Sequence, residues 1–484
     1  MEKRFWKRLL FVGITLHIVA ALMMPLGLDA HVHATFVTDE MNDDEGELEW
    51  GKLRQDSTEG SVAEDYPSDD RWFAWHSIIE IWFSIFTPSI MVLHILALIG
   101  GLGCLATIYL LSKELFGEEP ALKLTALASI YPPLVRATGR FYQESVILML
   151  VALASFCLIK AMRSENKLNF WWLIPLFCMG VILSFKGTPI WYVLPAATAL
   201  LISSKIRMGQ IQIVFFALLV QLFVLNRNGV PLSNPDIIPA LLSAFVGCFI
   251  FVYIGMLMFG NKQGEANEIS TIFQRGSLMV MACLTGWIAA LWVTEATVLQ
   301  SSFFEVIISF RHNTRYLSML FIPLWYSHLL KTKSKALSFE KSRGALVIVI
   351  SGILLINIYA LPIAFGERGT EKIGSHLNKE IEDDEDILFI SDSQLPMHRM
   401  YTMHLTLDPE SDGLSIAYWR TSDSNWVEEL SDCSEFKDIN WIVFDPPGKI
   451  DVPEGWVRVH FEDSDVVNRE YRLYNWGGEN ERCA

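Results

Sequence analysis

Charge is scarce in this sequence, and where it occurs it is clumped. Only 19% of the residues are Asp, Glu, Lys or Arg against 52% apolar, a balance that excludes an ordinary water-soluble domain. Cysteine is scarce too. Five of the seven, Cys104, Cys157, Cys178, Cys248 and Cys283, fall in apolar runs, where the thiol behaves as a small hydrophobe. No CxxC and no paired Cys/His spacing occurs, so no zinc site is expected. Cys433 and Cys483 lie towards the C-terminal end and suit one disulfide if that side is oxidising. Internal repeats and low-complexity segments are absent. A basic surface is missing as well, which excludes nucleic acid as a partner.

What is present is a series of uncharged stretches of about 20 residues, enough to cross a hydrocarbon core of roughly 30 Å. Backbone amides in lipid must be paired within their own segment, so these stretches should be helices. The net charge of −16 conceals a division. Residues Asp29–His76 hold 14 acids against 3 bases, and Glu367–Ala484 hold 27 acids against 11. The rest of the chain is therefore net basic, by +11. The acidic blocks read as solubility outside the cell rather than as a cation-binding device.

Lys3, Arg4, Lys7 and Arg8 precede the uncharged run Leu9–Leu28. A basic start and an apolar centre also mark a secretory signal, but the run is long enough to span and many spans follow. A retained first helix with a cytoplasmic amino terminus is expected. Further spans are expected at 86–111, 122–135, 144–162, 170–184, 188–204, 210–225, 237–259, 277–298, 316–330 and 344–364, about eleven in all. Alternation puts Ser112–Ala121, Arg163–Asn169, Lys205–Gly209, Gly260–Gly276 and Lys331–Arg343 in the cytoplasm. Each carries Lys or Arg within it or beside its edges, in keeping with the positive-inside rule. The acidic blocks then lie outside. Trp72, Trp75, Trp82, Trp171, Trp172 and Trp191 sit near span ends, as an aromatic belt would place them. Trp72–Phe86 mixes apolar residues with His76 and Glu80 and reads as an interfacial helix.

The tail reads differently. Arg368–Ile381 suits a helix, and strands are expected at 386–391, 414–419, 440–445, 456–461 and 470–475, with Pro446, Pro447 and Gly448 as turn residues. The fold class is thus a polytopic α-helical membrane protein over 1–365, followed at 366–484 by a small extracytoplasmic α/β domain.

Charges at membrane level are costly, and those that persist face a cavity or a partner. Four groups qualify. Asp29, His31 and His33 follow the first span, and alternate spacing puts them on one face if the segment is extended. A carboxylate there can take a proton from a hydroxyl, with the histidines holding substrate or metal; a cap-and-loop cluster is the blander alternative. Arg136, Arg140 and Glu144 lie between the third and fourth spans. Arg140 and Glu144 are i,i+4 if helical, which an ion pair alone would explain; an arginine fork for phosphate is the alternative. Lys186, in the tight turn between two spans, either snorkels to the interface or neutralises a phosphate. Arg311, His312, Arg315 and Tyr316 begin the tenth span. Two arginines on the outer side break the positive-inside preference, which argues for a bound anion such as a departing phosphate.

These groups in this order resemble the GT-C superfamily of membrane glycosyltransferases. Within it the chain looks most like the protein O-mannosyltransferase and aminoarabinose-transferase type. Asp29 stands where that family has an acidic residue after the first span, and Glu144 after Arg140 stands at its second acidic position. Phe185-Lys186-Gly187 is similar to its turn between tightly joined spans, and Arg315-Tyr316 with Pro323 to its late Arg-Tyr element. Ala30 after Asp29, where many relatives have Glu, and the two histidines are this chain's own features.

The resemblance implies a polyprenyl (dolichyl) phosphate sugar as donor and an inverting transfer to a protein, lipid or glycan acceptor. Asp29 would be the base, Glu144 an assisting carboxylate, and Arg311, Arg315, Lys186 and Arg140 the phosphate clamp, with Tyr316 beside them; His31 and His33, outside the resemblance, are candidate substrate-binding residues from their place beside Asp29. No nucleotide cofactor is expected, since the lipid carries the activated sugar. A divalent metal stays open, because the carboxylates have no fixed hard-ion spacing. A flippase or transporter with the same outer cavity is the rival reading. It would need broken or charged helices near mid-membrane, and the polar groups cluster at one surface instead.

Overall fold

The computed structural model describes residues 3–42, 72–165, 169–186, 210–227, 229–246, 285–294, 301–308, 318–326, 343–364, 369–382, 385–392, 396–410, 417–432, 436–445, 452–460 and 471–478, with a few single positions, Tyr316 and Cys483 among them. The chain divides into two compact units, Met1–Met24 with Ala97–Ala364, and Pro25–Leu96 with Phe365–Ala484.

The first unit is helical. It holds α1 (Lys3–Met23), most of a long helix α4 (Ile90–Phe116), then α5 (Glu118–Ser129), α6 (Pro132–Gly139), α7 (Gln143–Arg163), α8 (Leu173–Phe185), α9 (Gln210–Arg227) and α10 (Arg343–Ala364). Among the described residues α1, α4 and α7 are long and apolar enough to cross a bilayer, and shorter apolar helices include Phe170–Phe185, Leu218–Arg227 and Leu346–Tyr359. The expected spans at 188–204 and over most of 237–259 lie outside the described residues.

Sequence periodicity failed at two places here. The expected single span 122–135 is two helices, because Pro132 and Pro133 lack the amide hydrogens a continuing helix needs. The expected loop Ser112–Ala121 is almost entirely helical, the chain turning on Gly117 alone. Its φ of 89° is open to glycine at a helix C-terminus and costly to residues with a Cβ. Glu114 near that turn meets Lys160 at 2.6 Å and Arg163 at 2.5 Å, which ties α4 to the end of α7.

The core of this unit is apolar and continuous. Trp6 and Leu9 of α1, Ile108 of α4, Leu124 and Leu127 of α5, Leu134 of α6, Leu148 of α7 and Phe321, Trp325 and Tyr326 pack together. A Cβ on Gly13 would strike the Ser129 side chain, so α1 and α5 cross at glycine distance. The outward faces are apolar as well: Phe11, Phe177, Phe215, Ile348 and Leu355 are all exposed. An apolar core under an apolar surface defines a membrane protein.

The second unit joins α2 (Leu28–Asn42), α3 (Phe73–Ile85) and the first turns of α4 to the tail. In the tail α11 (Gly369–Glu380), β1 (Asp386–Ser391), α12 (Pro396–Leu407), β2 (Ala417–Arg420), α13 (Trp426–Asp432), β3 (Ile439–Asp445), β4 (Trp456–Val459) and β5 (Arg472–Trp476) follow in turn. They build one sheet in the order β2-β1-β3-β5-β4, with β2, β1 and β3 parallel and the last two strands antiparallel. Strand β1, between β2 and β3, is buried at every residue, as a parallel strand covered on both faces must be. Its alternate residues serve two cores. Ile387 and Phe389 meet Met400, Tyr401 and Met403, whereas Leu388 and Ile390 meet Trp426, Leu430 and Phe436. Val32 and Phe36 of α2 belong to the first of these cores, so the segment after the first span is built into the tail.

Trp75, expected in an aromatic belt, is instead buried, at 1% exposed. Cys483 is disulfide-bonded, and Cys433 lies outside the described residues.

Candidate functional site

In the second unit the condition under which Asp29, His31 and His33 would all share one face, an extended segment, is not met. Residues Leu28–Asn42 are α-helical, so positions two apart diverge by about 200° instead of sharing a face. Asp29 sits half-buried in the first turn of α2, where the helix dipole favours a carboxylate. His31 points elsewhere, its Nε2 lying 2.9 Å from Glu371 Oε1 of α11, with both side chains buried. His33 Nδ1 is 3.0 Å from His76 Nε2, and its ring meets Trp72 edge-on at 5.0 Å. One imidazole in that contact must donate and the other accept, so the pair cannot be doubly charged. His398 of α12 feels the Asp29 carboxylate, which opposes the downward push that burial gives its imidazole.

Among the described residues no group of three or more His, Cys, Asp or Glu side chains is arranged to hold a metal ion. A cavity of about 320 Å³ in this unit is lined by Thr38, Met41, Phe83, Phe86 and Glu410 among others. Thr38 is nine residues beyond Asp29, roughly 14 Å along the helix axis, which separates that cavity from the carboxylate.

These buried imidazoles give the unit a pH dependence. Burial pushes His404 down to about 3, with His31 adding to the effect, and pushes His76 down to about 4. Unfolded, both would titrate near 6.5, so the unfolded chain binds more protons below that pH. The stability is present above about pH 6.5 and lost as pH falls towards 4 and 3, by about 1.4 kcal/mol per pH unit for each histidine. We expect a lower thermal midpoint at pH 5 than at pH 7.5 in detergent, and a shallower dependence for His404→Gln. Equal midpoints at both pH values would contradict this.

In the first unit α6 stops at Gly139, Arg140 caps it, and the chain reverses before α7 begins at Gln143. Phe141 takes up the reversal with φ of 52°, a region that bulky residues rarely enter. Such strain persists only where surrounding packing enforces it, and Phe141 is buried. The turn separates Arg140 from Glu144, so the expected i,i+4 ion pair does not form. Glu144 instead meets Lys186, at 3.0 Å from Oε1 to Nζ. Lys186 caps the C-terminus of α8 and Glu144 occupies the first turn of α7, each at the helix end that favours its charge.

The Lys186 ammonium also lies 4.8 Å from the centre of the Trp287 ring and 6.0 Å from that of Tyr316. Those two rings meet edge to face at 5.3 Å. Glu144 is 2% exposed, and the Arg140 Nε atom is buried with no hydrogen-bond partner among the described residues. Lysine has three N–H donors, so the Glu144 contact leaves further donors for an anion. Arg311, His312 and Arg315 lie outside the described residues.

Sequence reasoning missed Glu371, His398 and Trp287. Glu371 pairs with a residue 340 positions away and Trp287 lies in an apolar run, so neither carries a local signal. His76 was visible as a polar residue in an apolar helix.

Fold and geometry together define a membrane protein in which a lysine and a carboxylate are paired under two aromatic rings. Residues 72–228 match the family model for dolichyl-phosphate-mannose-protein mannosyltransferase, and this supports a GT-C superfamily membrane glycosyltransferase. The matched stretch covers under half of the chain and contains Arg140, Glu144 and Lys186, but not Asp29, Tyr316 or the tail. No curated protein matches the chain.

Proposed function

We propose that the protein is a membrane glycosyltransferase that takes its sugar from a polyprenyl-phosphate donor at the extracytoplasmic face. The observation that carries this reading is Lys186, held by Glu144 and by the faces of Trp287 and Tyr316, inside the stretch that matches the mannosyltransferase family. A cation held this way suits a phosphate that gains charge as its bond to the sugar breaks.

In the proposed reaction an acceptor hydroxyl oxygen attacks the anomeric carbon. The bond from that carbon to the phosphate oxygen breaks, with inversion. The hydroxyl proton passes to the Asp29 carboxylate, and polyprenyl phosphate leaves with the electron pair. Lys186 and Arg140, with Arg311 and Arg315, are the proposed phosphate ligands. Glu144 holds Lys186 in place, and His31, His33 and Tyr316 support their neighbours. The acceptor is a hydroxyl of a protein, lipid or glycan.

The test uses the full-length protein in membranes, supplied with a polyprenyl phosphate carrying a radiolabelled hexose. Label should leave the lipid-phosphate fraction and appear in a glycosylated product. Label that crosses the bilayer still attached to its lipid would overturn the enzyme reading in favour of a flippase.

A further inference from the structure

We infer that Glu371, through its contact with His31, is a positioning residue for Asp29, so that the tail sets the aim of the carboxylate at the start of α2. The inference rests on the assignment of Asp29 as the base.

Asp29 and His31 are two residues apart on one helix, so their side chains leave the axis in nearly opposite directions. One side of the first turn presents the carboxylate, and the other is fastened to α11. The fastening is directional. His31 is fully buried and Glu371 is 2% exposed, with 2.9 Å between Nε2 and Oε1. Val32 and Phe36 share one apolar core with Ile373, Leu377 and Tyr401, which holds α2 against the tail, but apolar contact is non-directional and sets no rotation about the helix axis. A buried hydrogen bond does set it, because losing the bond strands both partners away from water.

The platform beneath the contact is itself fixed. The Thr406 hydroxyl of α12 donates to the Glu371 carbonyl oxygen at 3.0 Å. A Cβ on Gly374 would collide with Thr406 Oγ1 and the Met403 carbonyl, so α11 and α12 are in close contact one turn further on. Rotation of α2 by even a small angle would move the Asp29 carboxylate at its surface. Misplacement of a reacting group by 1 Å can cost on the order of 100-fold in rate.

The experiment measures kcat and donor KM for full-length Glu371→Ala, Glu371→Gln and Asp29→Asn in membranes. Glu371→Ala should lower kcat by roughly 30-fold, within the range that misplacement of this size produces, and leave donor KM almost unchanged. Glu371→Gln, whose amide oxygen still accepts from His31, should recover most of that loss. A purely structural role would lower the amount of folded protein without this split or this rescue. Because the alanine variant can fail to fold, the double variant Glu371→Leu with His31→Phe refills the volume with apolar groups and removes the directional bond. Its kcat should fall in the same way.

Wild-type kcat in a folded Glu371→Ala or double variant, with Asp29→Asn inactive, would overturn the positioning role and leave Asp29 as base. Full activity in Asp29→Asn would remove the base assignment, and the positioning role with it.

Discussion

Asp29→Asn should lower sugar transfer by about 10³-fold or more while the protein still inserts, folds and binds donor. A positioned general base contributes on the order of 10²–10⁴-fold, and here no second carboxylate shares the first turn of α2. The substitution is nearly isosteric, so the packing of α2 on the tail should survive, and with it the thermal midpoint. Asparagine can hold the acceptor hydroxyl by a hydrogen bond but cannot take its proton. The loss should therefore appear in kcat, with donor KM changed by less than a few-fold. The assay is turnover of labelled polyprenyl-phosphate hexose by wild type and variant at equal amounts of folded protein. Retention of wild-type turnover would leave α2 with a merely structural acidic cap.

Local pattern revealed most of the elements, and long-range pairing revealed almost none of the site. The apolar run at 144–162 became α7, Gln143–Arg163, and the strand expected at 386–391 is β1, Asp386–Ser391. Both carry their signal within themselves, as an uncharged length or a compact apolar block flanked by acids. The helices Pro396–Leu407 and Trp426–Asp432 escaped notice because their polar and apolar residues are short mixtures whose helicity depends on the sheet they cover.

The site residues divide in the same way. Asp29, Glu144 and Lys186 could be nominated because charge beside a span is costly and therefore conspicuous. Their partners could not. Spacing alone suggested Arg140 for Glu144, but the Phe141 reversal breaks the helix between them and delivers Glu144 to Lys186, 42 residues on. Alternate spacing suggested one face for Asp29, His31 and His33, but a helix formed and turned His31 away from the face that Asp29 and His33 share four residues apart.

Lys186→Met carries the second large expectation, a fall of about 100-fold in kcat/KM. The methionine keeps the length and much of the volume of the stem and removes only the ammonium. Loss of one preorganised donor to a developing anion typically costs 10²–10³-fold in kcat, and further cations share the proposed phosphate site. A snorkelling lysine would predict no loss at all, since its head would simply lie in water. The geometry opposes that alternative: the Lys186 side chain is 18% exposed and its head contacts a carboxylate and two rings. Glu144→Gln separates the two halves of the pair. Removing the carboxylate's charge leaves Lys186 uncompensated, so the product, polyprenyl phosphate, should bind more tightly and inhibit at lower concentration. Lys186→Met should weaken the same inhibition. Opposite shifts in product inhibition would mark Lys186 as the phosphate ligand and Glu144 as the group that moderates its charge; parallel shifts would reduce the pair to a structural salt bridge.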